Sequence, residues 1–213
     1  MVHSTYDVTF EVPGHSDVPA DGRDHRVVLR QEALAGKIEH RAVPGLRQAA
    51  FVVARTRAPG AYPLLAGPVR VFSSGAYLGA YTLLETAPGA EFTVPFGVDK
   101  RISVERAVLP RTGTKEGLTG KERRIGYAFR TTLENLRDQS VEVILQERLP
   151  VSEDERIEVQ PSKGITPGYR EVKDRPGIIE WTVPLAPQEK RDVLLMYSVR
   201  ISREVTVASA QPN

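Results

Sequence analysis

The sequence predicts an all-β protein, chiefly because three short alternating runs lie between Gly67 and Arg106. Apolar side chains recur there at every second position, and Ser-Ser-Gly, Ala-Pro-Gly and Phe-Gly-Val-Asp interrupt the runs. A period of two puts alternate side chains on opposite faces of a strand, and glycine or proline turns the chain back. The pattern therefore indicates an antiparallel sheet, and it indicates no particular reaction.

The same alternation continues along the chain and favours two tandem antiparallel β-sandwich domains, the second of them immunoglobulin-like. Residues 111–124 hold three glycines and no aromatic side chain between two alternating stretches. Because loops longer than ~12 residues are uncommon within compact domains, we expect a linker or an exposed crossover there rather than a long hairpin loop. The predicted domains are then a sandwich-like one at 1–110 and the immunoglobulin-like one at 125–213.

Alternation also places individual strands, among them 26–30, 76–83, 123–135 and 140–149. Between the last two, residues 135–139 predict a turn, because asparagine and aspartate side chains bond their own backbone. Several such strands with one apolar face are typical of a sandwich. The sequence lacks the cysteines of true immunoglobulin domains, so only the architecture is predicted.

Composition and charge exclude several classes of function. The 29 basic and 27 acidic side chains leave a net charge of +2, without the concentrated basic face that nucleic-acid binding needs. The absence of cysteine excludes disulfides, thiolate catalysis and thiolate metal sites. No run approaches the ~18 apolar residues of a membrane helix, so we expect no membrane span. Because the chain starts inside an alternating run, Tyr6 to Val12, we expect a piece of a longer polypeptide rather than a natural N-terminus.

One part of the chain resembles a known family. The residues that carry the resemblance are Pro63, Leu64, Leu65, Gly67, Pro68, Gly75, Gly79, Pro88, Gly89, Pro95, Phe96, Gly97, Val98 and Asp99. They are similar to the hallmark of the mucoidy inhibitor A family, in the C-terminal region known as domain of unknown function 4139. Shorter similarities at 42–44, 50–55, 117–124 and 132–150 extend the resemblance over nearly the whole chain.

The resemblance implies an all-β fold with an uncharacterised activity. It also implies a structural role for the hallmark residues Gly67, Pro68, Gly75, Gly79, Pro95, Phe96, Gly97 and Asp99. Members of that family carry a further N-terminal domain and usually a coiled coil before this region. We therefore expect a protein partner, the missing N-terminal or coiled-coil region, or a second copy of the chain. A location in the bacterial cell envelope or outside the cell is suggested by the resemblance alone.

One polar stretch contains residues that can bind a metal: His15, Asp17, Asp21, Asp24 and His25. It has no HxH, HExxH or calcium-loop spacing, and Pro19 and Gly22 mark a turn within it. We interpret it as a solvated loop, and we predict no metal and no cofactor.

Residues suited to catalysis are scattered along the sequence. Glu153, Asp154 and Glu155 could flank a sugar, but consecutive residues of a strand point to opposite faces, which favours a polar turn. A phosphate loop around Lys121 is excluded, because glutamate follows where serine or threonine is required. All four histidines precede residue 41. We predict no catalytic residue, and a deep crevice where His40 meets acids from distant strands would contradict this.

Three aromatic residues, Tyr77, Tyr81 and Trp181, are weak candidates for binding. Trp181 alternates with Ile179 and Val183, which favours a place in the core over an exposed platform for sugar. Asp99 follows a glycine-containing corner, and we expect its carboxylate to bond backbone N–H groups and fix the turn.

These observations favour a non-catalytic structural or interaction module of a larger, envelope-associated bacterial protein. Exposed edge strands need covering, so we expect isolated chains to pair edge to edge. One alternative is a carbohydrate-binding module linked to exopolysaccharide, which requires exposed, co-planar aromatic rings. Another is a hydrolase, which requires a cleft with clustered carboxylates or a histidine beside a nucleophile.

Overall fold

The computed structural model describes residues 3–4, 7–8, 14, 17–110, 115–116 and 122–202. Every regular element in these residues is a β-strand, so the all-β prediction is confirmed. The same residues contain no helix long and apolar enough to cross a membrane. The strand predicted at 26–30 is wrong, because this segment is irregular and exposes Val28 and Leu29 instead of burying an apolar face.

The strands of the described residues are β1 (His3–Ser4), β2 (Asp7–Val8), β3 (Gly36–Val43), β4 (Arg47–Arg57), β5 (Gly67–Ser73), β6 (Ala76–Leu83), β7 (Glu91–Val98), β8 (Ile102–Val108), β9 (Lys115–Glu116), β10 (Glu122–Asn135), β11 (Val141–Arg148), β12 (Ile157–Pro161), β13 (Arg170–Glu171), β14 (Ile178–Leu185) and β15 (Lys190–Ser202). The predicted strands 76–83, 123–135 and 140–149 correspond to β6, β10 and β11, with ends that agree within one residue.

The chain divides into two compact units that are interleaved in sequence. Unit 1 comprises the described residues of 1–37 and 54–94, and unit 2 those of 38–53 and 95–213. This division differs from the consecutive domains 1–110 and 125–213 expected from the sequence. The linker expected at 111–124 falls mostly on residues outside the described part of the chain.

Unit 1 contains the hairpin of β5 and β6, which form a two-stranded antiparallel sheet. The two turn residues, Ser74 and Gly75, have φ angles of 46° and 81°. Positive φ at both positions is what a two-residue hairpin turn with the twist of the strands requires, and glycine adopts it without strain. The run Ser-Ser-Gly thus marks the turn, as the sequence predicts.

Two sheets have most of their residues in unit 2. One has the order β12-β15-β10-β8, with β9 paired to β10, and the long strands β10 and β15 are antiparallel from Glu122↔Ser202 to Glu134↔Lys190. The other has the order β13-β14-β11-β3-β4-β7. In it β11 pairs antiparallel with β14 and parallel with β3, where His40 stands opposite Val143.

Apolar side chains from both sheets of unit 2 pack into one core. Its members are Ala42, Ala50, Ile102, Val104, Phe129, Leu133, Val141, Val143, Leu145, Leu149, Ile179, Trp181, Val183, Leu185, Val193, Leu195 and Tyr197. The alternation in β10 explains which of its side chains join the core, since Phe129, Thr131 and Leu133 are buried and Arg130 is exposed. Such burial contributes roughly 1.5–3 kcal/mol for each large side chain, which makes this core the main source of stability in unit 2.

Asn135, the last residue of β10 in one sheet, bonds residues near the ends of β11 and β14 in the other sheet. Its fully buried amide donates to the carbonyl oxygens of Gln139 and Ala186, both at 2.9 Å, and its Oδ1 accepts the N–H of Arg137 at 3.1 Å. The turn predicted at 135–139 from asparagine chemistry is therefore present. The bond to Ala186 adds a tie to the end of β14 that the local sequence does not indicate.

We expect Asn135→Ala to lower the free energy of unfolding by about 2–4 kcal/mol, because buried carbonyl groups lose their donor. Urea unfolding monitored by Trp181 fluorescence measures the loss. Gln139→Ala is the matched control, since it keeps the carbonyl that Asn135 binds and removes only an exposed side chain. A change of less than about 0.5 kcal/mol in Asn135→Ala would contradict this role.

Candidate functional site

Asp99 occupies the turn between β7 and β8, at the end of the hallmark run. Gly97, two residues earlier, has a φ of 96°, which glycine adopts without strain. The backbone N–H of Asp99 bonds the carbonyl of Ala50 at 2.8 Å, and Oδ1 of Asp99 accepts the N–H of Arg101 at 3.0 Å. The expectation that this carboxylate bonds backbone N–H and fixes the turn is consistent with these contacts.

The other oxygen of Asp99 belongs to a buried cluster, the Asp99 cluster, formed by His40, Asp99 and Arg137. Oδ2 of Asp99 forms an ion pair with Nη2 of Arg137 and lies 3.2 Å from Nε2 of His40. Nη2 of Arg137 also lies 2.9 Å from Nε2 of His40. Asp99 is 7% exposed, and Arg137 supplies the positive charge that balances its carboxylate. The sequence predicted the turn but did not indicate either partner, His40 or Arg137.

The protonation state of His40 follows from this surrounding. Burial lowers the pKa of His40, and the positive charges of Arg137 and Arg101 lower it further. The imidazole is therefore neutral near neutral pH, and its Nε2 lone pair accepts the hydrogen bond from Arg137. His40 does lie beside an acid that is distant in sequence, Asp99 in the turn after β7. Arg137, however, contacts both the Asp99 carboxylate and Nε2 of His40, which are the groups that a general base would use.

A second charged cluster lies on the opposite face of β3, because Glu39 and Arg41 alternate with His40. Arg41 bonds Glu39 at 2.9 Å and also bonds Glu180 of β14. Glu180 further accepts hydrogen bonds from Gln146 and, at 3.2 Å, from Arg170. The two buried carboxylates are thus matched by two guanidinium groups, which is the usual condition for burying charge.

A fourth buried carboxylate, Glu147 of β11, links the two sheets of unit 2. Its Oε1 accepts hydrogen bonds from Nε of Arg106 at 2.9 Å and from the Thr131 hydroxyl at 3.1 Å. The Arg106 guanidinium also lies over the ring of Phe129, at 4.1 Å from its centre. Since Arg106 and Thr131 belong to one sheet and Glu147 to the other, this pair fastens the sheets together.

A shallow groove of about 450 Å³ is found at one end of unit 2. It is lined by Ser140, Val141, Glu142, Pro184, Leu185, Ala186, Glu189 and Arg191. A hydrogen bond from the N–H of Ala186 and the guanidinium of Arg191 lower the pKa of Glu189, which keeps its carboxylate charged. A charged carboxylate of this kind is a hydrogen-bond acceptor and not a general acid at neutral pH.

The aromatic binding candidates have different environments. Trp181 is 3% exposed, donates its indole N–H to the Thr166 carbonyl at 2.9 Å and packs on Tyr169. It lies in the core of unit 2, and its ring is not available as an exposed platform. Tyr77 is 58% exposed and Tyr81 is half-buried. The ring of Phe72 lies 5.4 Å from that of Tyr77 at a 56° tilt.

The polar segments singled out in the sequence form local pairs. In the loop at 17–25, Asp21 bonds His25 at 2.6 Å, and this bond lowers the pKa of Asp21. His15 lies outside the described residues. Asp154 is paired with Arg156, which lowers the pKa of the carboxyl to about 2. Among the described residues, no three His, Asp or Glu side chains are grouped so as to hold a metal ion.

Comparison with known proteins gives a family and a distant relative. Residues 2–203 match the family model described as "Domain of unknown function (DUF4139)". Protein F37C4.5 of Caenorhabditis elegans is 27% identical over 184 residues, which cover 82% of this chain and 33% of the relative. The chain thus spans about a third of that relative's length. No solved structure matches the chain.

We expect Asp99→Asn to lower the free energy of unfolding by about 3 kcal/mol, because Arg137 then keeps a partly buried charge without its counter-ion. Chemical unfolding measures the loss. Asp138→Asn is the matched control, since it removes an exposed carboxylate beside Arg137. Equal stability of the two variants would contradict a central role for the ion pair.

We expect Arg156→Gln to raise the pKa of Asp154 from about 2 toward the ordinary value of 3.8. The reason is that the guanidinium supplies the main hydrogen bonds to the charged carboxylate. Carboxyl chemical shifts followed through an acid titration measure the change. Because the pKa is depressed, the pair stabilises the fold above about pH 3.8 and loses that effect as pH falls. An Asp154 pKa that is the same in both proteins would exclude this pairing.

Proposed function

We propose a non-catalytic structural and interaction role for this chain, which belongs to the family described as domain of unknown function 4139. The ion pairing of the buried carboxylates in unit 2 supports the non-catalytic part. Asp99, Glu147 and Glu180 each face a guanidinium group. A catalytic acid or base needs a proton-accepting atom that substrate can reach, whereas these carboxylates are buried and ion-paired.

The edge of β6 supports the interaction part of the proposal. The strand AYLGAYTL contains no charged residue and no proline, and it is paired on one side only within the described residues. Natural proteins protect exposed edges with charge, proline or a covering element, since unpaired N–H and C=O groups accept another strand. An uncharged edge of this length is thus suited to pairing.

We commit to a second copy of this chain as the occupant of that edge. An antiparallel pair related by a two-fold axis brings each residue of β6 opposite a residue of the same strand. Because β6 carries no charge, this pairing opposes no like charges. The exposed side chains of Phe72, Tyr77 and Leu78 add apolar surface at the end of the hairpin.

Finer parts of the proposal extend from the sequence. We propose that unit 2 is an immunoglobulin-like sandwich, supported by its two sheets around one core. We also propose membership of the mucoidy inhibitor A type, with further regions of a longer protein as additional partners. The short coverage of the nematode relative, 33% of its length, is compatible with such further regions. Envelope association stays a prediction.

The carbohydrate-binding alternative now depends on the Tyr77 region. Of the three aromatic candidates it is the one with a largely exposed ring, and Phe72 beside it gives a paired surface. The tilt of 56° between the rings departs from the co-planar platform that sugar stacking favours. A titration with polysaccharide, followed by backbone shifts of the hairpin, separates this alternative from self-pairing. The hydrolase alternative has no comparable supporting observation.

We expect the chain to form concentration-dependent dimers in sedimentation equilibrium, and Leu78→Lys to weaken them at least about tenfold, or ~1.4 kcal/mol. A lysine at residue 78 places a charge on the strand edge, and charged side chains on an edge oppose pairing with another strand. Leu46→Lys is the matched control, since Leu46 is an exposed leucine of unit 2 at 88% exposure. A strict monomer at high concentration, or equal weakening by both variants, would overturn the proposal.

A further inference from the structure

One nitrogen atom of the Asp99 cluster faces two groups of opposite charge. Nε2 of His40 lies 2.9 Å from Nη2 of Arg137 and 3.2 Å from Oδ2 of Asp99. A neutral imidazole that accepts at Nε2 carries its proton on Nδ1, and it bonds the guanidinium. A protonated imidazole donates at Nε2, so it bonds the carboxylate instead. The proton on His40 therefore selects its partner.

Within the described part of the chain, the charged groups that face His40 belong to the turn and the loop that pack against it. Asp99 and Arg101 belong to the turn after β7, with Nε of Arg101 3.7 Å from Oδ1 of Asp99, and Arg137 belongs to the loop after β10. On the neighbouring strands, Val143 stands opposite His40, and Ala50 bonds the Asp99 N–H through its carbonyl. The charged neighbours on β3 itself, Glu39 and Arg41, lie on its other face and pair there.

Arg137 connects this cluster to the rim of the groove. Its side chain binds Asp99 and His40, and its carbonyl accepts a hydrogen bond from Gln188 at 3.0 Å. The loop of residues 136–140 that carries it ends at Ser140, which lines the groove. Nε of Arg137 is buried without a hydrogen-bond partner in the described structure, so the guanidinium depends on its Nη2 contacts.

We propose that the Asp99 cluster is an acid-responsive latch, in which a proton on His40 transfers the Asp99 contact from Arg137 to His40 and releases the 136–140 loop at the groove. The proton comes from solvent and remains on Nε2, so no bond other than this N–H is made. At neutral pH the loop is held, and in acid the groove rim becomes mobile. The inference does not depend on the self-pairing of β6.

The direction of the shift in the pKa of His40 agrees with this latch. Burial and the two guanidinium groups lower its pKa below the ordinary value of 6.5. A lowered pKa means that the unfolded or opened state binds the proton more readily than the closed one. The closed cluster is therefore fully favoured above about pH 6.5, and it loses this advantage as pH falls.

Two backbone amides report on the latch directly. The N–H of Leu136 bonds the Arg101 carbonyl at 2.9 Å, and the N–H of Arg137 bonds Oδ1 of Asn135 at 3.1 Å. Both are protected from hydrogen exchange while the loop is held. Protection factors, which remove the intrinsic effect of pH on exchange, should fall severalfold between about pH 7.5 and about pH 4.5. The amide of Val143, in the sheet, should keep its protection.

Variants of His40 and Arg137 separate the latch from general acid unfolding. His40→Gln keeps a neutral acceptor for Arg137 and should abolish the loss of protection, whereas the matched control His25→Gln removes an exposed histidine of unit 1 and should leave it intact. Arg137→Gln should raise the pKa of His40, measured by imidazole nitrogen shifts, because a nearby cation is removed. This second measurement applies even where His40→Gln fails to fold.

The following results would each overturn the latch. The first is unchanged protection of Leu136 and Arg137 at acid pH in the natural sequence. The second is an acid response that persists in His40→Gln. The third is a nitrogen spectrum in which Nε2 of His40 already carries a proton at neutral pH, or a His40 pKa that Arg137→Gln leaves unchanged.

Discussion

Unit 2 depends on the pairing of its buried carboxylates with guanidinium groups, which holds for each one in the described part of the chain. Moving an ionised carboxylate out of water costs several kcal/mol, and a partner repays this cost only at hydrogen-bond distance. Glu147 meets Arg106 across the two sheets, and Asp99 meets Arg137 between a turn and a loop. Any other register of the strands would separate these partners and leave charges unmatched in the interior. The pairs therefore restrict how the sheets can pack, while the apolar core supplies most of the stability.

Local chemistry made part of this structure predictable from the sequence. Alternation located β6 and β10, because one face of each strand differs from the other in polarity. Asparagine and aspartate chemistry located the turns at Asn135 and Asp99, because such side chains bond backbone groups within a few residues. Alternation also assigned Trp181 to the core, because it stands on the same face of its strand as Ile179 and Val183. Each of these predictions required only residues that are close in sequence.

The remaining features depend on contacts between distant residues. Asp99 has two partners, His40 and Arg137. The sequence around each of them does not indicate this role, since a lone histidine and a loop arginine occur on most surfaces. Parallel pairing of β11 with β3 joins segments that are about a hundred residues apart, and it draws residues 38–53 into unit 2. The segment 26–30 shows a different error, because its local sequence predicted a strand that the structure does not contain. Its valines and leucine fit a strand by composition, but no apolar face of it is buried.

The two units use opposite treatments of charge, and this bears on what each can do. Unit 2 buries the carboxylates of Glu39, Asp99, Glu147 and Glu180 and pairs each with a guanidinium group, so little hydrogen-bonding capacity is left for a ligand at those atoms. Such a closed network responds to a change in its own charge, because one added proton on His40 alters which pairs can form. Unit 1 leaves a strand with no charge at its edge, where backbone groups rather than side chains offer the bonding capacity. Pairing along the edge of β6 would then depend on its shape and polarity more than on particular side chains. This suits association between identical chains.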